Sequence, residues 1–131
     1  MEKILIVEDN VDTRELLAKL LELESFSVVT AEDGLMGLQM ADDEHPDLVV
    51  TDITMPNLNG LDMIRLLRKK CGFSELPIVS ITAYGRTAAA QAIEAGADRA
   101  LTKPVEFDLL IDDINELLHR NPPSSALEQS N

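Results

Sequence analysis

Five short, largely apolar segments, each set apart from the next by a stretch with helical spacing, leave this chain few folds to choose from. They are Ile4–Val7, Phe26–Ala31, Leu48–Val50, Ile78–Ile81 and Ala100–Leu101. The third is the plainest: Leu48, Val49 and Val50 form an unbroken, largely β-branched run bounded by Pro46 before it and by Pro56 and Gly60 after it. Such a run is buried on both faces, as the strands of a parallel sheet are. Strand and helix alternate five times, which means βαβ units with right-handed crossovers. The expected fold class is therefore α/β: a doubly wound, five-stranded parallel sheet with helices on both faces.

The intervening segments carry their own signals. Asn10 or Asp12 can cap a helix striped by Leu16, Leu17, Leu20, Leu21 and Leu23. Glu32-Asp33-Gly34 reads as a turn into a helix bearing Leu35, Leu38 and Met40, and Asn59-Gly60 leads into one bearing Leu61, Ile64, Leu66 and Leu67. Arg68-Lys69-Lys70 suits that helix's C-terminus. Thr87–Ala95 is Ala-rich and stopped by Gly96, and Phe107, Leu110, Ile111, Ile114, Leu117 and Leu118 stripe a last helix. The chain's 131 residues are enough for one domain with a real core, expected over 1–120. Residues 121–131, opening with Pro122-Pro123-Ser124-Ser125, read as a flexible tail or the start of a linker. The single cysteine, Cys71, reads as a plain thiol near a helix end and fits a reducing cytoplasm. No secretory leader or membrane-length run is evident, so no membrane partner is expected. A net charge of −13 argues against direct contact with nucleic acid and suits a domain that gathers carboxylates around a cation.

In a parallel sheet the C-terminal ends of the strands open on one edge, where ligands bind. Those ends here carry Glu8 and Asp9, Asp52, Thr82 and Lys103. Each has a dull explanation by itself: a capping acid, a strand threonine, a solvated lysine. Three acids, a hydroxyl and an ammonium on one edge are harder to dismiss. Crowded carboxylates raise one another's pKa unless a cation neutralises them, and Mg2+, with oxygen ligands and retained waters, is the natural occupant. Glu8 and Asp9 would hold it, with Asp52 and a backbone carbonyl completing the shell. Asp52 could then attack phosphorus to give an aspartyl phosphate, with Lys103 and the Thr82 hydroxyl on the phosphoryl oxygens. Lys103-Pro104 is a candidate cis bond.

Ile4-Leu5-Ile6-Val7-Glu8-Asp9-Asn10, the run from Asp52 to Gly60, Ile81-Thr82-Ala83 and Leu101-Thr102-Lys103-Pro104 resemble, in order and spacing, the receiver domain of two-component response regulators. The likeness covers residues from about 3 to 119. It implies a flavodoxin-like sheet of strand order 2-1-3-4-5. It further implies that a sensor histidine kinase or histidine phosphotransfer protein donates phosphoryl to Asp52, and that a downstream effector or fused output domain reads the result. By the same pattern Thr82 is the switch hydroxyl, Lys103 the phosphoryl-pairing lysine, and the carbonyl of Thr54 the backbone ligand to Mg2+. Side chains two places after the phosphoacceptor and after the switch hydroxyl control water access in that family; here they are Thr54 and Tyr84, and Tyr84 is a candidate cover over the acyl phosphate. Two features depart from the pattern. Ala100 stands where an aromatic reporter is usual, and Arg99 where dimerising members commonly carry an acid, so no oligomeric state is implied.

Two other classes compete. A Mg2+-dependent phosphatase of the haloacid dehalogenase type also uses a strand-end Asp, but it wants an acid two places on, where this chain has Thr54. A flavin carrier wants a hydroxyl- and glycine-rich phosphate loop after the first strand; Glu8-Asp9-Asn10-Val11-Asp12 would repel phosphate.

Overall fold

Ten elements alternate along the chain: β1 (Lys3–Val7), α1 (Val11–Leu23), β2 (Ser27–Ala31), α2 (Gly34–Glu44), β3 (Leu48–Asp52), α3 (Gly60–Lys69), β4 (Ile78–Thr82), α4 (Gly85–Ala95), β5 (Arg99–Thr102) and α5 (Phe107–His119). The structure, a computed structural model, describes residues 1–55 and 57–119, so the expected tail from Asn121 lies outside them. All strand pairs are parallel and the sheet order is β2-β1-β3-β4-β5, the expected flavodoxin-like topology. The winding reverses between β1 and β3. Their C-terminal loops diverge there and open a crevice.

Residue alternation assigns the two faces. Ile4, Ile6, Leu48, Val50, Val79 and Ile81 pack on Leu17 and Leu21 of α1 and on Leu110, Ile114 and Leu117 of α5. Their neighbours Leu5, Val7, Val49 and Ile78 pack on Ala41 of α2, on Met63, Ile64 and Leu67 of α3, and on Ala92 and Ala95 of α4. Full burial of each large aliphatic side chain stabilises the fold by about 2 kcal/mol.

The helix starts are built by side-chain caps. Asn10 accepts from the Thr13 N–H at 2.9 Å, leaving Asp12 inside the first turn; Asp33 and Asn59 do the same for α2 and α3. Gly96, at φ +130°, ends α4 in a conformation a side chain would strain. Several expectations are corrected. The α1 stripe is wider than its buried face, with Leu16 and Leu23 exposed, as are Leu35 and Leu66 on their helices. Helix α4 begins at Gly85, before the Ala-rich run, and Phe26 packs beneath β2 instead of starting it.

Arg68 does more than close α3. Its guanidinium donates to the carbonyls of Gly96 (2.7 and 2.9 Å), Phe73 (3.1 Å) and Leu76 (2.6 Å), and to Asp98 at 3.0 Å. Asp98 in turn accepts the Ile78 N–H at 2.9 Å. One side chain thus fastens the segments that enter β4 and β5, at the end of the sheet away from the crevice. Cys71 is a free, exposed thiol just past α3. No helix among the described residues is long and apolar enough to cross a membrane.

Candidate functional site

Strand register brings the polar strand ends together. Val7 pairs with Thr51, so Glu8 is level with Asp52, and Asp52 pairs with Ile81, one residue short of Thr82. Thr82 pairs with Thr102, which places Lys103 just beyond. Asp52 is only 8% exposed. Its Oδ1 accepts the N–H of Ile53 at 2.6 Å and that of Thr54 at 3.4 Å, and its Oδ2 accepts from Lys103 Nζ at 3.0 Å. The same Nζ stands 3.5 Å from Oε1 of Glu8. Glu8, Asp9 and Asp52 each offer a carboxylate oxygen, and the three lie within 4.8 Å of one another. Glu8 and Asp52 are buried whereas Asp9 is exposed, so the pocket opens to solvent past Asp9.

The electrostatics of the pocket are unbalanced. Burial, reinforced by the charge of Asp52, pushes the Glu8 carboxyl up to about 7 against the restraint of the Asn10 N–H and of Lys103. Burial also works against the Lys103 ammonium, but the hydrogen bond and charge of Asp52, with Glu8 behind them, outweigh it and hold that lysine above its ordinary value. One ammonium therefore faces three carboxylates. A hard divalent cation with oxygen ligands fits such a set, because it supplies the missing positive charge without needing a nitrogen or sulfur donor.

Local backbone chemistry sets the remaining parts. After Asp52 the chain turns back so tightly that the Gly60 N–H bonds to the Ile53 carbonyl at 2.7 Å, and a Cβ on Gly60 would run into the Asp52 carbonyl oxygen. Thr54 lies exposed in this loop. Thr82 is fully buried; its hydroxyl accepts the Tyr84 N–H at 3.1 Å and its carbonyl accepts the Lys103 N–H at 2.8 Å. The Lys103–Pro104 peptide is cis, as expected. The structure thus brings Glu8, Asp9, Asp52 and Lys103 into one pocket and seats Thr82 on the adjoining strand end. Tyr84, the candidate cover, is 67% exposed and meets the Thr82 hydroxyl through its backbone N–H. Sequence reasoning missed Arg14, which donates to the Glu8 carbonyl at 2.8 Å. A lone arginine in the second turn of a helix carries no signal that separates it from surface charge.

The response regulator receiver domain, as a sequence family, matches residues 4–115. The chain belongs to that family. Similar curated proteins include a transcriptional regulatory protein CpxR homolog of Haemophilus influenzae, 39% identical over 95% of this chain and 54% of its own length. The response regulator MprA of Mycobacterium leprae is 38% identical over 96% of this chain and 55% of its own length. The chain therefore spans about half the length of the curated relatives it matches. Among solved structures, response regulator protein TrrA of Thermotoga maritima in complex with Mg2+–BeF superposes with a TM-score of 0.81 at 34% identity, covering 89% of this chain and 99% of the other. Receiver domains of two-component response regulators are phosphoacceptors that bind Mg2+ at an acidic pocket, and this receiver domain carries the acidic set. Nothing in these matches supports the phosphatase alternative.

Proposed function

We propose that this receiver domain accepts a phosphoryl group on Asp52 from a sensor histidine kinase or a histidine phosphotransfer protein, and that the modified domain is read by an effector protein or a fused output domain. The observation that carries this is the Lys103 ammonium bridging Asp52 and Glu8 beside a third carboxylate, all at the strand ends flanking the crevice. Glu8, Asp9, Asp52 and the Thr54 carbonyl would hold Mg2+, which when bound neutralises charge on the phosphoryl oxygens. The N–H of Ile53 fixes one Asp52 oxygen and thereby aims the carboxylate. As the Asp52 O–P bond forms, the donor's N–P bond breaks and its electron pair returns to the imidazole. Lys103 moves from the carboxylate to a phosphoryl oxygen. Thr82, whose hydroxyl accepts from Tyr84 N–H, still has its own proton to give to another.

A cleft of about 500 Å³ between α1 and the segment after β5 supports the choice of donor. Leu16, Leu17, Leu20, Val105 and Phe107 line it, and Glu8 and Lys103 stand at its wall. An amphipathic helix bearing a phosphorylated imidazole, laid there, approaches Asp52 from the side, which gives the exposed Leu16 a partner. The reading places the domain in the cytoplasm, over residues 1–120, with the rest a tail or linker. The test is intact mass after incubation with acetyl phosphate and Mg2+. One added phosphoryl group is expected, absent in Asp52→Asn and absent with a chelator; a mass gain that survives Asp52→Asn refutes the assignment.

A further inference from the structure

The turn Glu32-Asp33-Gly34 has no place in the chemistry above, yet it is tied to the loop that follows Asp52. Both oxygens of the Asp33 carboxylate are used. Oδ1 accepts the Met36 N–H at 2.8 Å and caps α2; Oδ2 accepts from the side-chain amide of Asn57 at 2.6 Å. These two bonds, in that order, hold the carboxyl below its ordinary range. One residue on, the Gly34 N–H donates to the Leu58 carbonyl at 3.1 Å, and the approach is so close that a Cβ on Gly34 would overlap that oxygen. Asn57 sits at φ +69°, a left-handed conformation that asparagine tolerates better than most residues.

The segment after Asp52 is consequently anchored at Ile53 and again at Asn57 and Leu58. Its base is closed by the Gly60 N–H on the Ile53 carbonyl, and its far side is latched to the start of α2 by two bonds from successive residues, Asn57 and Leu58. Thr54 lies between the anchors, exposed itself while its neighbours Ile53 and Met55 are buried. We infer that Asp33, acting through Asn57, is a positioning residue for the metal site: the latch sets where the Thr54 carbonyl is presented, and so sets the affinity for Mg2+. This rests on the proposed role of that carbonyl. The latch also makes the start of α2, with Leu35 and Met36 exposed beside Asp33, mechanically continuous with the phosphoacceptor loop.

The test separates the latch from the cap and from the left-handed turn. Asn57→Gly removes the amide while keeping a residue at ease with positive φ; Asp33→Ser keeps a good N-cap but is too short to reach Asn57. Each is expected to weaken Mg2+ binding about tenfold, the range typical of residues that orient a metal's direct ligands. The double variant is expected to be no weaker than either single one, because a single contact is lost. Asp33→Asn should restore most of the affinity, since an amide can still cap α2 and can donate to Asn57 once that side chain turns over. In acetyl phosphate kinetics the Mg2+ concentration for half-maximal rate should rise about tenfold while the rate at saturating Mg2+ stays unchanged, a split that a general loss of stability would not give. Urea midpoints measured with a chelator check stability directly. Single variants that bind Mg2+ within twofold of the parent, effects that add in the double variant, no rescue by Asp33→Asn, or losses that track the urea midpoints each overturn the inference. A parent protein that takes no phosphoryl group overturns the proposed function first, and the inference falls with it.

Discussion

Glu8→Gln should make the metal-free domain more stable and the metal site weaker. Glu8 is 2% exposed and titrates at about 7 in place of 4.5. With about 1.4 kcal/mol for each pH unit between the folded and unfolded values, keeping Glu8 ionised in the fold costs at most about 3 kcal/mol. The glutamine oxygen can keep the Asn10 N–H that now bonds to Oε2 at 3.1 Å, but a buried amide is itself costly to desolvate, which takes back part of that gain. The net gain is then about 1–2 kcal/mol, or roughly 3–6 °C in Tm for a domain of this size. The sign follows from proton binding. Between about pH 4.5 and 7 native Glu8 keeps a proton that the unfolded chain releases, so parent stability falls as pH rises through that window and levels off above it. The variant escapes that fall, so its advantage is absent near about pH 4 and complete above about pH 7. Urea unfolding with a chelator, run on both proteins across that range, measures the gap. A gap that does not change with pH, or a variant less stable by the same amount throughout, refutes the reasoning. With Mg2+ in excess the order should reverse, because only the parent retains the full ligand set.

The same proton competes with the cation, so Mg2+ affinity should rise by up to about tenfold per pH unit below about pH 7 and flatten above it, as a fluorescence or calorimetric titration would show. Lys103→Ala should slow phosphorylation by acetyl phosphate about a hundredfold while leaving Mg2+ affinity equal or higher, since a competing positive charge is gone; parallel losses in both would mean that the pocket has collapsed. Arg68→Ala breaks the bonds to Gly96, Phe73, Leu76 and Asp98 and should cost about 3 kcal/mol in urea unfolding. Phosphorylation of its folded fraction should be unchanged, because this clamp lies at the end of the sheet away from Asp52.

The fold was legible because burial on both faces forces a parallel strand into an unbroken apolar run, and because Asn10, Asp33 and Asn59 announce helix starts. The acids of the site were legible because parallel topology alone brings strand ends to one edge. What could not be read depends on packing between distant segments. Leu16 belongs to the same stripe as Leu17 and both reach the cleft, and only the packing of α1 decides that Leu16 stays exposed while Leu17 is buried in the core. Asp33 and Asn57 stand 24 residues apart and meet only because α2 and the loop after β3 lie side by side. The raised pKa of Glu8 is likewise a property of burial, which a strand-end glutamate in a sequence does not reveal.

β5, the strand beside Thr82, carries Ala100 and no aromatic ring. The Thr82 hydroxyl already accepts the Tyr84 N–H, and Gly85, at φ +77° with open space around its Cα, follows at once. A phosphoryl oxygen that recruits the hydroxyl's proton would draw on a group already moored to the main chain, close to a glycine with open space around it. The news of phosphorylation in this domain would then travel as a displacement of peptide groups at the entry to α4, with the exposed tyrosine carried along as a flag.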